Sequence, residues 1–338
     1  MDKVQAEKYL AYCFYLAEQG SGSVSPNPKV GALLVYNERI IGEGYHQQFG
    51  KAHAELRAIE SVKPEDVHLI SKATLLVSLE PCNHYGKTGP CTELILKNKI
   101  PELVFSNFDP NPLMAGNSIR LLERAGVKIS GPLMEHEGHQ VIREYVCNVT
   151  KRRPYVILKF AQTADYFLGK TNMRTKISSF ASDLCVHRWR SEVDAIVIGK
   201  NTLEIDNPSL TTRHWAGKNP VRIVLARIAK NQRSKWNAFN NDATTYDLDD
   251  LGLKDAYSVD DLLAKLFELK LGIVLVEGGA QIFRFFHKSG IWDEARIITN
   301  KELKIGEGLA APSIRGHLLK SITLDKDIIH YIAKNSRY

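Results

Sequence analysis

Long uninterrupted apolar runs are missing from this 338-residue chain. A bilayer-spanning helix needs about 20 consecutive apolar residues, so no membrane span and no membrane partner is expected. The first residues, MDKVQAEKYLAYCFYLAEQG, carry Glu7 and Glu18 within a helical pattern. They lack the apolar core of a secretory signal, and the expected compartment is the cytoplasm. Cysteine is scarce too: Cys13, Cys82, Cys91, Cys147 and Cys185 are five in 338 residues, too few for a disulfide framework in a chain this long. Cys82 and Cys91 instead bracket a Gly/Pro-rich loop, where metal binding is the better reading. There is no internal repeat, no low-complexity tract and no Gly-x-Gly-x-x-Gly, so the usual dinucleotide fingerprint is absent. No basic run is interleaved with aromatics, as a nucleic-acid groove would require.

What is present reads as globular, at 44% hydrophobic and 25% charged residues. The length suits two domains of roughly 150 residues each. The net charge of +7 is uneven: residues 1–150 hold 15 Lys+Arg and 17 Asp+Glu, a net of −2, which leaves +9 for residues 151–338. A basic half suits phosphate-bearing ligands or nucleic acid, and equally a solvated surface.

Helical spacing marks residues 3–19, with Ala6, Tyr9, Leu10, Cys13, Phe14 and Ala17 on one side. Val30–Tyr36 and Arg39–His46 flank Asn37-Glu38 as a hairpin. A helix is predicted from near His53 through Val62, a strand over Ala73–Leu79, and a helix after Pro90-Cys91. Leu103–Ser106, Ser118–Ala125, Val127–Ile129 and Glu135–Val149 continue the alternation, which implies a sheet with helices on its faces. Lys151-Arg152-Arg153-Pro154 breaks the pattern, giving domains 1–150 and 151–338. The second half restarts as α/β. Its strands are expected at Tyr155–Phe160, Ala195–Gly199, Val221–Ala226, Ile273–Glu277 and Ala295–Thr299, its helices at Phe180–Ser191, Val259–Leu269 and Gln281–Lys288. The stretches 164–178 and 228–258 read as long polar loops.

The chemistry-bearing pattern is His53-Ala54-Glu55, then Glu80-Pro81-Cys82, then Cys91 after eight intervening residues. One imidazole and two thiolates can hold zinc and leave a fourth tetrahedral position for water, whose pKa the metal lowers. A carboxylate two residues beyond the His can carry protons without being a ligand. This matches the zinc nucleobase deaminase pattern H-x-E…P-C-x-x-C, except that the loop between the cysteines is eight residues long instead of two. The expected metal ligands are therefore His53, Cys82 and Cys91, with Glu55 catalytic. Cys13, Cys147 and Cys185 fall in helical patterns and read as buried thiols. His46 and His84 read as substrate or outer contacts rather than ligands.

Several segments together resemble the bifunctional riboflavin-biosynthesis deaminase/reductase family: Ser25-Pro26-Asn27-Pro28-Lys29-Val30-Gly31, Gly42-Glu43-Gly44-Tyr45-His46, His53-Ala54-Glu55, the run from Glu80 to Cys91, and Asp109-Pro110-Asn111-Pro112. In the second half the matching pieces are Lys159–Thr163, Asp194–Gly199, Asn201-Thr202, Asp206–Arg213 and Glu277-Gly278-Gly279. The resemblance implies a cytidine-deaminase-like three-layer α/β/α domain followed by a dihydrofolate-reductase-like α/β domain. It implies two reactions: a diaminopyrimidinone bearing a ribosylamino 5′-phosphate loses its ring 2-amino group, and NADPH then reduces the ribosyl group to ribityl. It places NADPH near Ala161, Lys176, Ser178, Thr202, Asp206 and Gly279. Substrate is placed near Asn27, His46 and Lys87 in the first half and near Lys159, Arg190, Leu210, Arg213 and Glu277 in the second.

Read from the residues alone, Gly278-Gly279 between a strand and a helix lets backbone amides approach phosphate, and Arg190 with Arg213 could clamp one bidentately. The chain departs from the family pattern at three places: Thr163-Ala164-Asp165-Tyr166 stands for Ser-x-Asp-Gly, Lys176-Ile177-Ser178-Ser179 for Trp-Ile-Thr-Gly, and Leu225-Ala226-Arg227 for Leu-Asp. All fall in the cofactor loops. Two other readings stay open here: a deaminase with an inactive second domain, and an RNA base deaminase with a basic binding domain. The favoured expectation is a small phosphorylated pyrimidine as partner, no nucleic acid, and a homo-oligomer.

Overall fold

A computed structural model describes residues 1–85, 89–112 and 114–334. The chain divides into two compact units, one of residues 1–152 and one beginning at Arg153.

The first unit runs α1 (Lys3–Glu18), β1 (Gly31–Tyr36), β2 (Arg39–Tyr45), α2 (Ala54–Glu60), β3 (Thr74–Leu79), α3 (Cys91–Lys97), β4 (Glu102–Asn107), α4 (Asn117–Arg124), β5 (Lys128–Ser130) and α5 (Glu135–Lys151). Its sheet has the order β2-β1-β3-β4-β5. The hairpin and β3 pair antiparallel, while β3, β4 and β5 run parallel. Period-two alternation divides the strands' side chains between two cores. Ala32, Leu34, Leu75, Val77, Leu103 and Phe105 pack with Ala54, Ala58, Ile95, Ile119 and Leu122 of α2, α3 and α4. Leu33, Val35, Leu76 and Val104 pack with Leu10, Phe14, Ala17, Val141 and Ile142 of α1 and α5. The result is the three-layer α/β/α arrangement. Its helix–sheet contact is closest at Gly42 and Gly44. A Cβ on Gly44 would stand 2.4 Å from the Ala58 nitrogen, and one on Gly42 would stand 2.2 Å from the Ala58 carbonyl oxygen. The glycines thus let α2 lie directly on β2, which fixes where His53 and Glu55 go.

The second unit runs β6 (Tyr155–Gln162), α6 (Phe180–Glu192), β7 (Ala195–Gly199), α7 (Lys200–Asp206), β8 (Val221–Leu225), β9 (Thr245–Asp247), α8 (Val259–Glu268), β10 (Ile273–Glu277), α9 (Ala280–Ser289), β11 (Glu294–Asn300), β12 (His317–Leu324) and β13 (Asp327–Ala333). The strand order is β12-β13-β11-β6-β10-β7-β8-β9. The strands are parallel from β11 through β9, and β13 and β12 add an antiparallel hairpin at one side. Both neighbours of β6 come late in the chain, so the direction of winding changes there, and a crevice opens at the carboxyl ends of the parallel strands. Ser258 caps α8 in a reciprocal pair with Asp261.

The sequence reading had no counterpart for α7, β9, the two strands of the β12–β13 hairpin, or a 3₁₀ segment at Pro64–Lys72. The 228–258 stretch is not one loop, since it holds β9 and short 3₁₀ turns at Lys230–Lys235 and Asn237–Phe239. Arg222 explains its order. The guanidinium, fully buried, donates to the carbonyls of Asn237, Ala238, Asn240 and Ala243 and so folds the stretch around itself.

Candidate active sites

His53 precedes α2 in extended backbone and its carbonyl accepts the Arg57 N–H, so its side chain stands at the helix entrance. Glu55 lies in the first turn and is 3% exposed. Cys82 follows the end of β3, and Cys91 opens α3, with Pro90 ahead of it. The His53 Nδ1 is 3.5 Å from the Cys82 sulfur and 3.3 Å from the Cys91 sulfur. All three donor atoms lie within 4.8 Å of one another, the one such group among the described residues. A tetrahedral zinc with ordinary Zn–N and Zn–S bonds would separate its nitrogen and sulfur ligands by about 3.5 Å. The donor set and its spacing therefore fit zinc.

The electrostatics agree. The Cys91 hydrogen bond, with His53 next to it, pulls the Cys82 thiol down to about 4. Cys91, beside that thiolate and buried, is pushed up. A cation on the two sulfurs would favour the thiolate form of both. Burial pushes the Glu55 carboxyl up, as suits a group that holds a proton for part of a reaction.

A cavity of ≈ 230 Å³ opens beside these residues, lined by Asn27, His46, His84, Asp109, Asn111, Tyr145 and others together with His53, Glu55 and Cys82. His46 is buried, which lowers its pKa. A neutral ring that donates from Nδ1 to the Ala52 carbonyl, at 3.0 Å, leaves Nε2 to accept from the Asn27 amide, at 3.2 Å. The expected contact residues Asn27 and His46 thus meet in one pocket. Lys87 lies outside the described residues. The sequence reading gave Asp109-Pro110-Asn111-Pro112 among the segments that resemble the family, but assigned no site role to Asp109, Asn111 or Tyr145. Tyr145, inside a helix, carried no signal.

The second unit holds a cleft of ≈ 490 Å³ at the carboxyl ends of β6, β7 and β10. Ala161, Lys176, Ser178, Thr202, Asp206 and Gly279 all line it, as do Lys159, Arg190, Leu210 and Glu277. Gly279 has open space where a Cβ would stand, so the first turn of α9 can be approached closely by a phosphate group. This cradle, with apolar Ile198 and Ile282 beside it, fits a nicotinamide dinucleotide.

Lys159 and Glu277 are register partners on β6 and β10. Arg190 of α6 closes on the same carboxylate, donating from Nε at 2.9 Å and Nη2 at 3.0 Å, and its Nη1 reaches the Thr211 carbonyl. The Arg190 and Lys159 charges outweigh burial and hold Glu277 at about 2. Arg190 is therefore spent on an internal ion pair rather than free for the phosphate clamp that the sequence suggested. Arg213 is exposed and does not line the cleft.

Two of the three departures from the resembled family sit in defined local structure. Tyr166 keeps a left-handed backbone, φ 63°, where the resembled family has Gly. Ser179, also in a Gly position, caps α6 by accepting the Ser182 N–H. Lys176 pairs with Asp183, which also accepts from Ser178. Cys13 and Cys147 are buried as expected, whereas Cys185 is only half-buried.

Two family models match this chain. The cytidine and deoxycytidylate deaminase zinc-binding region covers residues 3–107, and the RibD C-terminal domain covers 154–324. A riboflavin biosynthesis protein RibD from Bacillus amyloliquefaciens is 36% identical over 96% of this chain and 91% of its own length. The chain belongs to the RibD family. Another RibD, from Aquifex aeolicus, is 33% identical over 90% of the chain and 89% of its own length. The solved structure of a diaminohydroxyphosphoribosylaminopyrimidine deaminase/5-amino-6-(5-phosphoribosylamino)uracil reductase from Thermotoga maritima superposes with a TM-score of 0.87. It is 31% identical, with 98% of this chain and 99% of that chain covered. RibD membership accounts for two unlike pockets in one chain. The zinc-binding region ends with β4, and the RibD C-terminal domain begins just before β6. Among the described residues no helix is long and apolar enough to cross a membrane.

Proposed function

We propose that this chain catalyses two successive steps of riboflavin biosynthesis. The first unit removes the ring 2-amino group of a diaminopyrimidinone bearing a ribosylamino 5′-phosphate. The second reduces the ribosyl group of that product to ribityl with NADPH. The observation that carries the proposal is the meeting of His53, Cys82 and Glu55 on one cavity, with the donor atom of Cys91 within 4.8 Å of those of His53 and Cys82, in a chain whose RibD relatives match both units.

His53, Cys82 and Cys91 would hold the zinc. When bound, zinc supplies the Lewis acidity that makes water nucleophilic at neutral pH. Glu55 does the proton work: its carboxylate takes the proton of the attacking water and delivers it to the ring nitrogen or the leaving ammonia. The buried position of Glu55 favours the protonated intermediate stage of that shuttle. His46, oriented by Ala52 and Asn27, presents a neutral imidazole edge to the substrate.

In the second unit, NADPH would lie along Ala161, Lys176, Ser178, Thr202, Asp206 and Gly279, and it supplies the hydride when bound. Lys159, Arg190 and Glu277 form a fixed charged floor against which the sugar is oriented. Leu210 adds an apolar contact. Arg213, exposed and near His187, is assigned to the substrate phosphate at the margin of the site. A homo-oligomer is part of the same proposal, supported by the exposed Leu318 and Leu319 on edge strand β12.

The test is to add zinc-loaded protein to the pyrimidine phosphate while following ammonia and NADPH absorbance together. Release of ammonia with loss of NADPH is expected. Ammonia alone would leave a deaminase with an inactive second unit, and neither signal would overturn both steps.

A further inference from the structure

Glu80 is buried, 5% exposed, and among the described residues its carboxylate pairs with no cation. Four donors converge on it instead. The N–H groups of Asp109 and Gly116 reach Oε2 at 3.2 and 2.9 Å, and the Ser118 N–H and hydroxyl reach Oε1 at 3.3 and 2.6 Å. Gly116 and Ser118 flank the start of α4, so the carboxylate also lies at the positive end of that helix. The Glu80 N–H meanwhile donates to the Asn107 carbonyl at 2.8 Å, which extends the pairing of β3 with β4 by one residue. Glu80 is therefore clamped at both ends, and its oxygens are fully engaged in holding other residues.

The segment it holds carries Asp109, Asn111 and Met114, all of which line the deaminase cavity. Asp109 is secured again from the other side: it accepts the Asn111 N–H at 2.8 Å, and the Tyr145 hydroxyl of α5 donates to it at 3.2 Å. Two residues after Glu80 comes Cys82, one of the metal donors. One side chain thus ties the turn that bears a metal donor to the segment that bears the cavity's far polar groups.

We propose that Glu80 is a positioning residue for deamination, which sets Asp109 and Asn111 against the substrate through its carboxylate. This rests on the deaminase reading of the first unit. Glu80→Gln is nearly isosteric, but its amide NH₂ would face either the Asp109 and Gly116 N–H pair or the Ser118 pair. Facing the Asp109 and Gly116 N–H groups it makes two donor–donor contacts, and facing Ser118 it makes one, since that hydroxyl can turn to accept; either way the hold on the segment is weakened.

The test uses the whole zinc-loaded chain and compares Glu80→Gln, Asp109→Asn, the double variant and the milder Ser118→Ala. Zinc content, KM and kcat of ammonia release are measured for each, with NADPH consumption on the deaminated pyrimidine as the control for folding. The expected result for Glu80→Gln is unchanged zinc and a KM raised roughly tenfold or more, with a smaller change in kcat. Ser118→Ala should move KM the same way by less, and it carries the test if Glu80→Gln does not fold. The decisive signature is non-additivity: the double variant should be little worse than Asp109→Asn, because the two changes act on one contact. Additive effects, loss of zinc in Glu80→Gln, or an unchanged KM would each overturn the inference. A wild-type chain that releases no ammonia would remove the deaminase reading itself, and the inference with it.

Discussion

Among single residues, the chemistry divides between groups that hold the metal and the one that moves the proton. Cys82→Ser or Cys91→Ser removes one of three protein ligands, so bound zinc and ammonia release should be lost together. Metal analysis showing full occupancy in both variants would reject the ligand set. Glu55→Gln keeps the shape of the side chain but cannot accept a proton, so zinc should stay while kcat falls by roughly two to four orders of magnitude. Tyr166 poses a different single-residue question. Its left-handed backbone costs about 1–2 kcal/mol for a residue with a Cβ. The turn holds it there through the Tyr166 N–H to the Thr163 carbonyl and the Ala311 N–H to the Tyr166 carbonyl. The ring is 66% exposed and buries little. Tyr166→Gly relieves the strain but raises the unfolded chain's entropy, worth about 0.5–1 kcal/mol in the other direction. A net gain in stability of between zero and about 1.5 kcal/mol is expected, read as a small rise in the denaturant midpoint. A fall would mean that the tyrosine ring has a packing role.

Helices and strands decide how much could be read before the fold was known. Amphipathic or wholly apolar elements such as α1, β3, β6 and β10 are legible because burial imposes their period. The β12–β13 hairpin is not, because most of β12 is exposed and its sequence has no reason to alternate. Nor is α7, whose seven residues bury only Leu203. Site legibility follows the same logic. His53, Glu55, Cys82 and Cys91 are rare residue types at fixed spacing. Asp109 and Tyr145 are ordinary residues that α5 and the β4–α4 connection bring together. Another long-range encounter is on α6, where the buried His187 ring meets His214 edge-on, with centroids 4.7 Å apart. Burial first, then the Arg190, Arg213 and His214 charges, hold His187 down at about 4, against about 6.5 in an unfolded chain. The neutral form is the folded one, so its stabilising contribution is complete above about pH 6.5 and is lost as pH falls through about 4. Denaturant midpoints of the second unit should therefore decline across that window. His187→Phe should flatten the decline, and Arg213→Ala should shrink it and end it at a higher pH. With His187 responsible, removing the repelling Arg213 charge raises its pKa toward the unfolded value and narrows the window from below. Parallel curves for wild type and His187→Phe would exclude His187 as the source.

The whole molecule raises the question of whether two chemistries in one chain need each other. Each unit has its own sheet and its own buried cores, and the division falls at Arg152, where the backbone turns left-handed at φ 52° after α5. All the deaminase groups, from Asn27 to Tyr145, precede that point, and α5 supplies both core residues and the Tyr145 contact to Asp109. A fragment of residues 1–152 therefore retains every described member of the first site together with the helix that completes its fold. A shorter cut that removes α5 would expose the Leu33, Val35, Leu76 and Val104 face and release Asp109 at the same time. The fragment of 152 residues should fold, bind zinc and release ammonia with a KM close to that of the whole chain, while NADPH consumption disappears. Circular dichroism, metal analysis and the ammonia assay on the fragment would check all three. A folded, zinc-loaded fragment that cannot deaminate would show that the second unit contributes to the first reaction, through substrate capture or through a residue that reaches the site only in the full chain.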